Sequence, residues 1–558
     1  MSCPTQIAGW FRTDALSQFV ALFVVLFSVL TLLYSFGYMR RRGGLVRYYC
    51  YLVLTLAASL GAVFANNLIL FVSFWGFLGM LLYLLILFNE SESASYTAKK
   101  AFIIIGGTDA FMLFGLAVLW CMSGSLHMDK IDVGLEGGLA VCAYLCLAAG
   151  ALAKAGAMPF HTWVPDTAED APIPVVAYLP ASLDKLLGIY FLARLSLDMF
   201  RMTPAMNTLL MAIGSITIVA AVMMALVQHD YRRLLGYHAV SQVGYMVLGI
   251  GTGNPIGIAG GLFHMLNNAI YKSCLFFAGG AVEKRAGTSD LGKMGGYATV
   301  MPVTFVSALV AALAISGVPP LNGFASKWMV YQGIIDTAGT GHYLWVVWLL
   351  AAMFGSALTL ASFTKLIHAM FLGQPAAPAD EAKTQEGEAS PTMWIPMVLL
   401  AALCIVFGVF ASQVPLKLFI TPSVGEGAAP TGAWSAGTAT ILLLIGLGLG
   451  AVIYWLGTVG KARSAEIFVG GERVEEYPAL RVSGTEFYQT VRSMCALKTA
   501  YAWAEHKVFD AYEVAKKATF GFSAMLGFLH SGALPRYLSW CLVGMLVLFY
   551  VLLVRGMP

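Results

Sequence analysis

The sequence predicts an all-α polytopic membrane protein. Three observations carry that reading. Of 558 residues, 59% are hydrophobic and only 11% are charged, against about 25% charged in a soluble domain. Apolar runs of about 20 residues recur along the whole chain, each long enough to cross a bilayer core of roughly 30 Å as a helix. Lysines and histidines sit inside several of these runs, where ionisable groups are costly and point to function. This composition excludes a water-facing enzyme of this size, a disordered tail and a disulfide-rich secreted fold. The net charge of +4 is small and suggests no nucleic-acid partner.

Fourteen spans are expected, at about 16–36, 46–65, 68–88, 100–121, 137–158, 173–195, 206–228, 233–251, 258–281, 302–337, 344–372, 393–417, 437–459 and 535–554. The first is too long for a cleavable leader and is followed by Arg40-Arg41-Arg42, so it reads as retained. The tenth contains Pro319-Pro320 and reads as one broken span; fifteen spans is the alternative. Grouped by position, residues 1–45 hold an N-terminal span and 46–195 a first five-helix unit. Residues 206–372 hold a second such unit, 393–459 two further spans and 535–558 a final anchoring span.

Orientation follows from Lys and Arg in short loops. One set of alternate loops holds Arg40, Arg41, Arg42, Arg47, Lys99, Lys100, Arg232, Arg233, Lys284, Arg285 and Lys293. The other set holds little beyond Lys130, Arg201 and Lys417. The first set is expected to be cytoplasmic, and an even span count puts both termini outside.

Two stretches are not spans. Residues 373–392 are rich in Pro, Ala and Glu and read as a loop. Residues 460–534 open with a polar segment from Gly470 to Gly484. Apolar residues (Phe487, Val491, Met494, Leu497, Tyr501, Val508, Tyr512, Ala515) then recur at three- and four-residue spacing. One helix from Glu486 to His530 would be roughly 67 Å long at 1.5 Å per residue. It is too polar to span and is expected along the cytoplasmic interface. Two shorter helices are the alternative, because Gly521 and Gly527 weaken its end.

The nine cysteines are scattered without a CxxC pair or a His/Cys metal spacing, which fits packing against core or lipid. No nucleotide, flavin, haem or iron–sulfur motif occurs in this chain.

The ionisable residues within spans are the candidate functional groups. Lys154 lies among small residues in Gly150-Ala151-Leu152-Ala153-Lys154-Ala155-Gly156, with Pro159 close behind. Proline breaks a helix, and a break at membrane depth is tolerated only inside protein or at a watery cavity. Lys327 follows Pro319-Pro320 under the same logic. If spans two to six and seven to eleven form two units, both lysines fall in a fourth helix. Two tandem units of odd helix number have opposite topology, as in inverted-repeat transporters. Lys185 opens the sixth span and Lys272 lies in the ninth. His264 sits on nearly the same face as Lys272, and His238 opens the eighth span. Lys365 and His368 share a face of the eleventh, and Asp109 is an acid within the fourth. Burial lowers a lysine's pKa and a nearby carboxylate raises it, so such groups can load and release protons. Against this stand plainer roles: snorkelling for Lys365 and Lys185, hydrogen-bonded packing for His238, His264 and His368, and helix pairing for Asp109.

At these residues the chain resembles the antiporter-like subunits shared by respiratory complex I, energy-converting membrane hydrogenases and Mrp-type cation/proton antiporters. The resemblance runs through Ala153-Lys154-Ala155, Pro159-Phe160-His161-Thr162-Trp163-Val164-Pro165-Asp166 and Ala171-Pro172-Ile173-Pro174-Val175. It continues in His229-Asp230-Tyr231-Arg232-Arg233-Leu234-Leu235-Gly236-Tyr237, Ser241-Gln242-Val243-Gly244-Tyr245-Met246 and Ser316-Gly317-Val318-Pro319-Pro320-Leu321. The tail resembles the NuoL-type subunit, whose last spans flank a lateral helix. The resemblance implies that Lys154 and Lys327 are the broken-helix lysines of two half-channels, Lys272 the central lysine and Asp109 a membrane acid. It departs at Trp75-Gly76, where the family has Trp-Glu and the glutamate partners the first lysine. Two readings of that loss stay open: Asp109 substitutes, or the first half-channel is retuned or idle. The chain also opens at what resembles the family's third span. In Leu183-Asp184-Lys185 the lysine stands one place earlier than in several relatives, with an acid beside it.

The function implied is translocation of protons, or of protons against sodium, by one subunit of a redox-driven membrane complex of the quinone-reductase or hydrogenase type. The chain has no catalytic centre of its own; iron–sulfur clusters, flavin or a NiFe centre would belong to partner subunits, met partly through the lateral helix. Alternatives are a secondary Mrp-type antiporter, a proton-flux subunit of an inorganic-carbon uptake system, and a scaffold that has lost transport. The expected place is a prokaryotic cytoplasmic membrane.

Overall fold

The computed structural model describes residues 9–340, 343–373, 387–425, 427, 436–457 and 484–555. Most of the expected 373–392 loop and the polar start of the 460–534 region lie outside the described residues. Contacts divide the chain into two compact units, Met1–Lys498 and Thr499–Pro558.

The first unit is helical almost throughout, and its helices start and stop where the sequence provides caps. Helix α1 (Ala15–Tyr38) opens on a capping box between Asp14 and Ser17. Asn67 caps α3 (Leu68–Ile86), after α2 (Leu45–Phe64), and Ser91 caps α4 (Glu92–Ser123). Gly124 ends α4 in the left-handed conformation that glycine adopts freely. Helix α5 (Gly138–Ala155) is followed by the short α6 (Trp163–Asp170). Helix α7 (Ile173–Met199) is interrupted by two π-helical stretches, Leu179–Leu183 and Leu195–Met199. Then come α8 (Pro204–Leu226), α9 (Tyr231–Gly251), α10 (Pro255–Ala286), α11 (Pro302–Ser316) and α12 (Asn322–Asp336). Helices α13 (Trp345–Ile367), α14 (Pro391–Val409) and α15 (Ala436–Leu456) complete this unit's long helices.

Among the described residues, ten helices are long and apolar enough to cross a membrane. The chain is therefore a multi-pass, all-α membrane protein. Four of the expected spans fall outside those ten. Helices α9 and α10 are long but polar. They are buried along their length: every residue of α9 except Arg233, and Ile256–Val282 of α10. Protein rather than lipid surrounds them, so they carry His238, Gln242, His264, Asn267, Asn268 and Lys272 without exposing them. The expected 302–337 span is the broken pair α11 and α12. The remaining one is α15, an apolar helix of 21 residues, some of whose first-turn side chains lie outside the described residues.

The long helix expected over Glu486–His530 is not one helix. A 3-10 turn (Gly484–Tyr488) leads into short helices Gln489–Ser493 and Cys495–Glu505, and α16 (Ala511–Leu529) follows. The break comes where Lys507 takes a left-handed φ of 56° and Asp510 caps a new start through the Tyr512 amide. Gly521 and Gly527, expected to weaken the helix, lie inside α16. In the second unit α16 is followed by α17 (Leu534–Arg555), whose described side chains are mostly exposed and mostly apolar, as a lipid-facing helix requires.

Loops that carry the basic residues interlock at one end of the first unit. Lys100 pairs with Asp166 at 2.8 Å, Arg232 with Glu283 at 2.5 Å and Arg233 with Glu169 at 2.8 Å. Lys284 donates to the Gly37 carbonyl at 2.6 Å. Elsewhere, Arg194 joins Asp14 at 2.7 Å and Asp198 at 2.6 Å. Partial burial would raise the Asp14 carboxyl, but Arg194 and the Ser17 amide hold it down at about 2. A two-residue parallel ribbon, Val133–Gly134 against Phe200–Arg201, ties the loops after α4 and α7.

Glycines let α8 and α9 approach closely. A Cβ added at Gly244 would lie 2.5 Å from the Gly214 carbonyl oxygen, whereas one at Gly107 meets nothing within 4 Å. Gly244→Leu is therefore expected to cost about 1–3 kcal/mol or more through overpacking and to lower the thermal midpoint of the detergent-solubilised protein. Gly107→Leu is expected to leave that midpoint unchanged.

Candidate functional site

Besides Lys100, which is paired with Asp166, the first unit holds five buried lysines. Exposure is 1% for Lys154, 2% for Lys327 and 0% for Lys185, Lys272 and Lys365. Snorkelling is thereby excluded for Lys185 and Lys365. Among the described residues none of these five forms an ion pair with a carboxylate, unlike Lys100, Lys293 and Lys516.

Four of them rest on backbone carbonyls instead. Lys154 donates to Trp75 O at 3.0 Å, Lys272 to Leu235 O at 2.9 Å and Lys327 to Ile315 O at 2.8 Å. Lys365 donates to Leu226 O at 2.6 Å and Gln228 O at 2.8 Å. A carbonyl accepts from an ammonium or from a neutral amine, so it holds the side chain in either protonation state. Aromatic faces add to this seating: Lys154 Nζ lies 4.3 Å from the Trp75 ring centre, and Lys327 Nζ 4.9 Å from that of Tyr245.

Two helix breaks supply the setting, and they share a geometry. Helix α5 ends at Gly156 with φ 81° and α11 ends at Gly317 with φ 83°. In each, the amide after the glycine bonds back into the last turn, Ala157 N to Leu152 O at 2.8 Å and Val318 N to Leu313 O at 3.1 Å. The lysines, however, lie on opposite sides of their breaks. Lys154 precedes Gly156 in α5, while Lys327 follows Gly317 and reaches back to an end carbonyl of α11. The first break closes differently: the Trp163 indole donates to Ala153 O at 3.0 Å.

Lys154 has two carboxylates within electrostatic reach, Asp184 and Asp109. Asp109 does not touch it; the Trp75 indole stands between, donating to Asp109 Oδ1 at 3.0 Å. At Gly76 a Cβ would meet nothing within 4 Å. Lys185 Nζ has no hydrogen-bond partner, and neither has Asp184 Oδ2. Lys185 and Lys272 act on each other electrostatically.

Around Lys272 and Lys327 the two buried histidines join different helices. His238 Nε2 meets Ser362 Oγ of α13 at 2.8 Å, and Lys272, Lys327 and Lys365 all act on its ring. His264 Nδ1 meets Ser326 Oγ of α12 at 2.9 Å, and its Nε2 meets Gln242 Oε1 of α9 at 3.1 Å. His368 stands apart from them: it is half-buried in a π-helical turn, with its ring against Phe487 at 5.2 Å.

The sequence reading left out the amides and hydroxyls that complete this interior. Gln242 Nε2, Asn268 Oδ1 and Asn322 Oδ1 are buried without partners, and Asn267 and Asn322 bond each other at 3.0 Å. A signal existed: Asn267-Asn268 lies between His264 and Lys272 on one helix.

Fold and site thus define a multi-pass membrane protein with a lysine-bearing polar interior. Residues 65–359, more than half the chain, match the family described as NADH:quinone oxidoreductase/Mrp antiporter, TM. The chain belongs to that family. It is 32% identical over 419 residues to Na(+)/H(+) antiporter subunit A1 of Staphylococcus haemolyticus, covering 71% of this chain and 52% of the relative. To the same subunit of Staphylococcus saprophyticus it is 32% identical, with 68% and 50% covered. The chain thus spans about half the length of the curated relatives it matches. Its fold is similar to a chain of an archaeal respiratory membrane complex, the membrane-bound sulfane sulfur reductase. That similarity has a TM-score of 0.79, with 23% identity and 97% of this chain and 89% of the other covered. It is also similar to a chain of the Mrp complex from Dietzia sp., with a TM-score of 0.74, 23% identity and 98% and 56% covered.

Lys365 fastens the end of α8, so it is expected to behave differently from the other amines. Lys365→Met leaves two carbonyls without their charged donor and should cost about 1.5–3 kcal/mol, read as a lower thermal midpoint. Gly76→Glu should leave the midpoint unchanged, because its Cβ has room.

Proposed function

We propose that this chain is a proton- or sodium/proton-translocating subunit of a multi-subunit membrane complex, relaying protons through its buried polar residues. The observation that carries the reading is the series of buried, unpaired amines running from Lys154 through Lys185 and Lys272 to Lys327. A charge stranded there is costly, whereas a chain of groups that exchange protons lets none stay stranded. The unbonded polar atoms of Gln242, Asn268 and Asn322 support this reading, since buried atoms of that kind recruit bridging water. Asp109, His264 and His238 belong to the relay, with Lys365 and His368 at its margin.

The matching breaks at Gly156 and Gly317 support two five-helix half-channels of opposite topology, within fourteen spans. The basic end of the first unit would face the cytoplasm, and the membrane would be the cytoplasmic one. The lateral region after Gly484 would brace neighbouring subunits. Any iron–sulfur, flavin or NiFe centre would reside in those partners.

A redox reaction in partner subunits is the first proposed drive, favoured by the likeness to a respiratory complex. A secondary Mrp-type exchange is the second, favoured by the relatives that are Na(+)/H(+) antiporter subunits. Either must move charge against about 2.3 kcal/mol per 100 mV. Mass spectrometry of the gently solubilised complex separates them: redox-cofactor subunits indicate the first, cation-antiporter partners alone the second.

Lys327→Ala is expected to abolish coupled proton transport in inverted membrane vesicles while the complex assembles in normal yield. Near-normal transport by that variant would sink the relay.

A further inference from the structure

Asp184 has no part in any ion pair or capping interaction that the fold uses. It is 1% exposed, on the face of α7 that packs on α5. Gly188, one turn further along the same face, fixes that contact: a Cβ there would lie 2.6 Å from Ala155 N and 2.7 Å from Ala151 O. Asp184 thus faces the last turns of the helix that carries Lys154. Its own position follows from the π-helical stretch before it, since the Asp184 amide bonds back to Leu179 O. Such bulges often mark functional sites.

Lys185 completes the arrangement. Its Nζ would lie 3.2 Å from a Cβ added at Gly156, and it sits 5.8 Å from the Trp163 ring centre. The amine therefore overlies the break that ends α5. Asp184 acts electrostatically on both lysines. Neither Asp184 Oδ2 nor Lys185 Nζ has a hydrogen-bond partner. A buried carboxylate without a bond is expensive, and two adjacent unsatisfied groups beside a helix break are not explained by packing.

We propose that Asp184 is a proton-relay acid of the first half-channel, passing a proton between Lys154 and Lys185. This deepens the relay reading above and rests on it. The Lys154 ammonium gives a proton to the Asp184 carboxylate, breaking an N–H bond and forming an O–H bond, which leaves a neutral amine and a neutral acid. The acid then gives that proton to neutral Lys185, restoring the carboxylate and forming the second ammonium. No other reactant is consumed. Asp109 reaches Lys154 only across Trp75, whereas Asp184 acts on both lysines.

The test uses inverted membrane vesicles holding the assembled complex, with proton uptake read by acridine-dye quenching. Asp184→Asn is expected to slow uptake at least tenfold, with complex yield and thermal midpoint unchanged. Asp184→Glu, which keeps the acid, is expected to retain a third or more of the rate. The double variant Asp184→Asn with Lys185→Met is expected to stay inactive. Wild-type uptake by Asp184→Asn overturns the proposal. So does recovery in the double variant, which would mean that the two charges only neutralise each other. Lys327→Ala, run in parallel, separates the levels. If it is inactive while Asp184→Asn is normal, only the Asp184 assignment falls; if it transports normally, the relay falls as a whole.

Discussion

The structure depends on how a lysine amine is held where no carboxylate neutralises it. An ion pair would lock the amine in its charged form, and an apolar pocket would lock it neutral. A backbone carbonyl does neither, because it accepts a hydrogen bond from both forms. Free carbonyls are scarce inside helices and abundant at their ends. Two of the amines use such ends: Ile315 at the end of α11 receives Lys327 and Leu226 at the end of α8 receives Lys365, while Lys154 and Lys272 reach Trp75 O and Leu235 O inside α3 and α9. The glycines at these ends are what allow α5 and α11 to stop within the protein. Gly156 and Gly317 adopt φ values of 81° and 83°, which a side chain would make strained.

The second requirement is an apolar surround for a polar interior. Helices α9 and α10 contain His238, Gln242, His264, Asn267, Asn268 and Lys272, and would be poor membrane helices alone. Their burial on all sides lets them serve as the polar axis of the first unit, while apolar helices such as α1, α8 and α14 face outward. Close glycine contacts, such as Gly214 against Gly244, bring α8 and α9 near enough for that shielding.

Much of this was legible in the sequence, for reasons that can be stated. Long apolar runs and caps such as Asp14, Asn67 and Ser91 mark helices directly. Pro319-Pro320 announced the break between α11 and α12, and the lysines stood out because charge is rare in apolar runs. Less legible was whatever depended on a partner distant in sequence. Lys365 reads as a possible snorkeller until α8 supplies two carbonyls to it. Asp184 reads as a mere neighbour of Lys185, since the π-helical stretch that aims it at α5 leaves no mark in hydropathy. The lateral region has the right periodicity for one helix, but periodicity cannot register the left-handed turn at Lys507 or the fresh start at Asp510.

The two breaks also bear on symmetry. Their backbones match, yet their lysines do not occupy matching places: one lies before its glycine and reaches across to α3, the other lies after and reaches back to α11. The repeated element is thus the interrupted helix, and each half places its amine by a different route. The first half offers Lys154 two acids, Asp184 and Asp109, on separate helices. Lys327 has a histidine and an aromatic face near it, and among the described residues burial rather than an acid acts on it. A proton held on the first amine therefore has carboxylates to stabilise or receive it, and one on the last has only dipoles. That difference makes the two ends of the series energetically unequal.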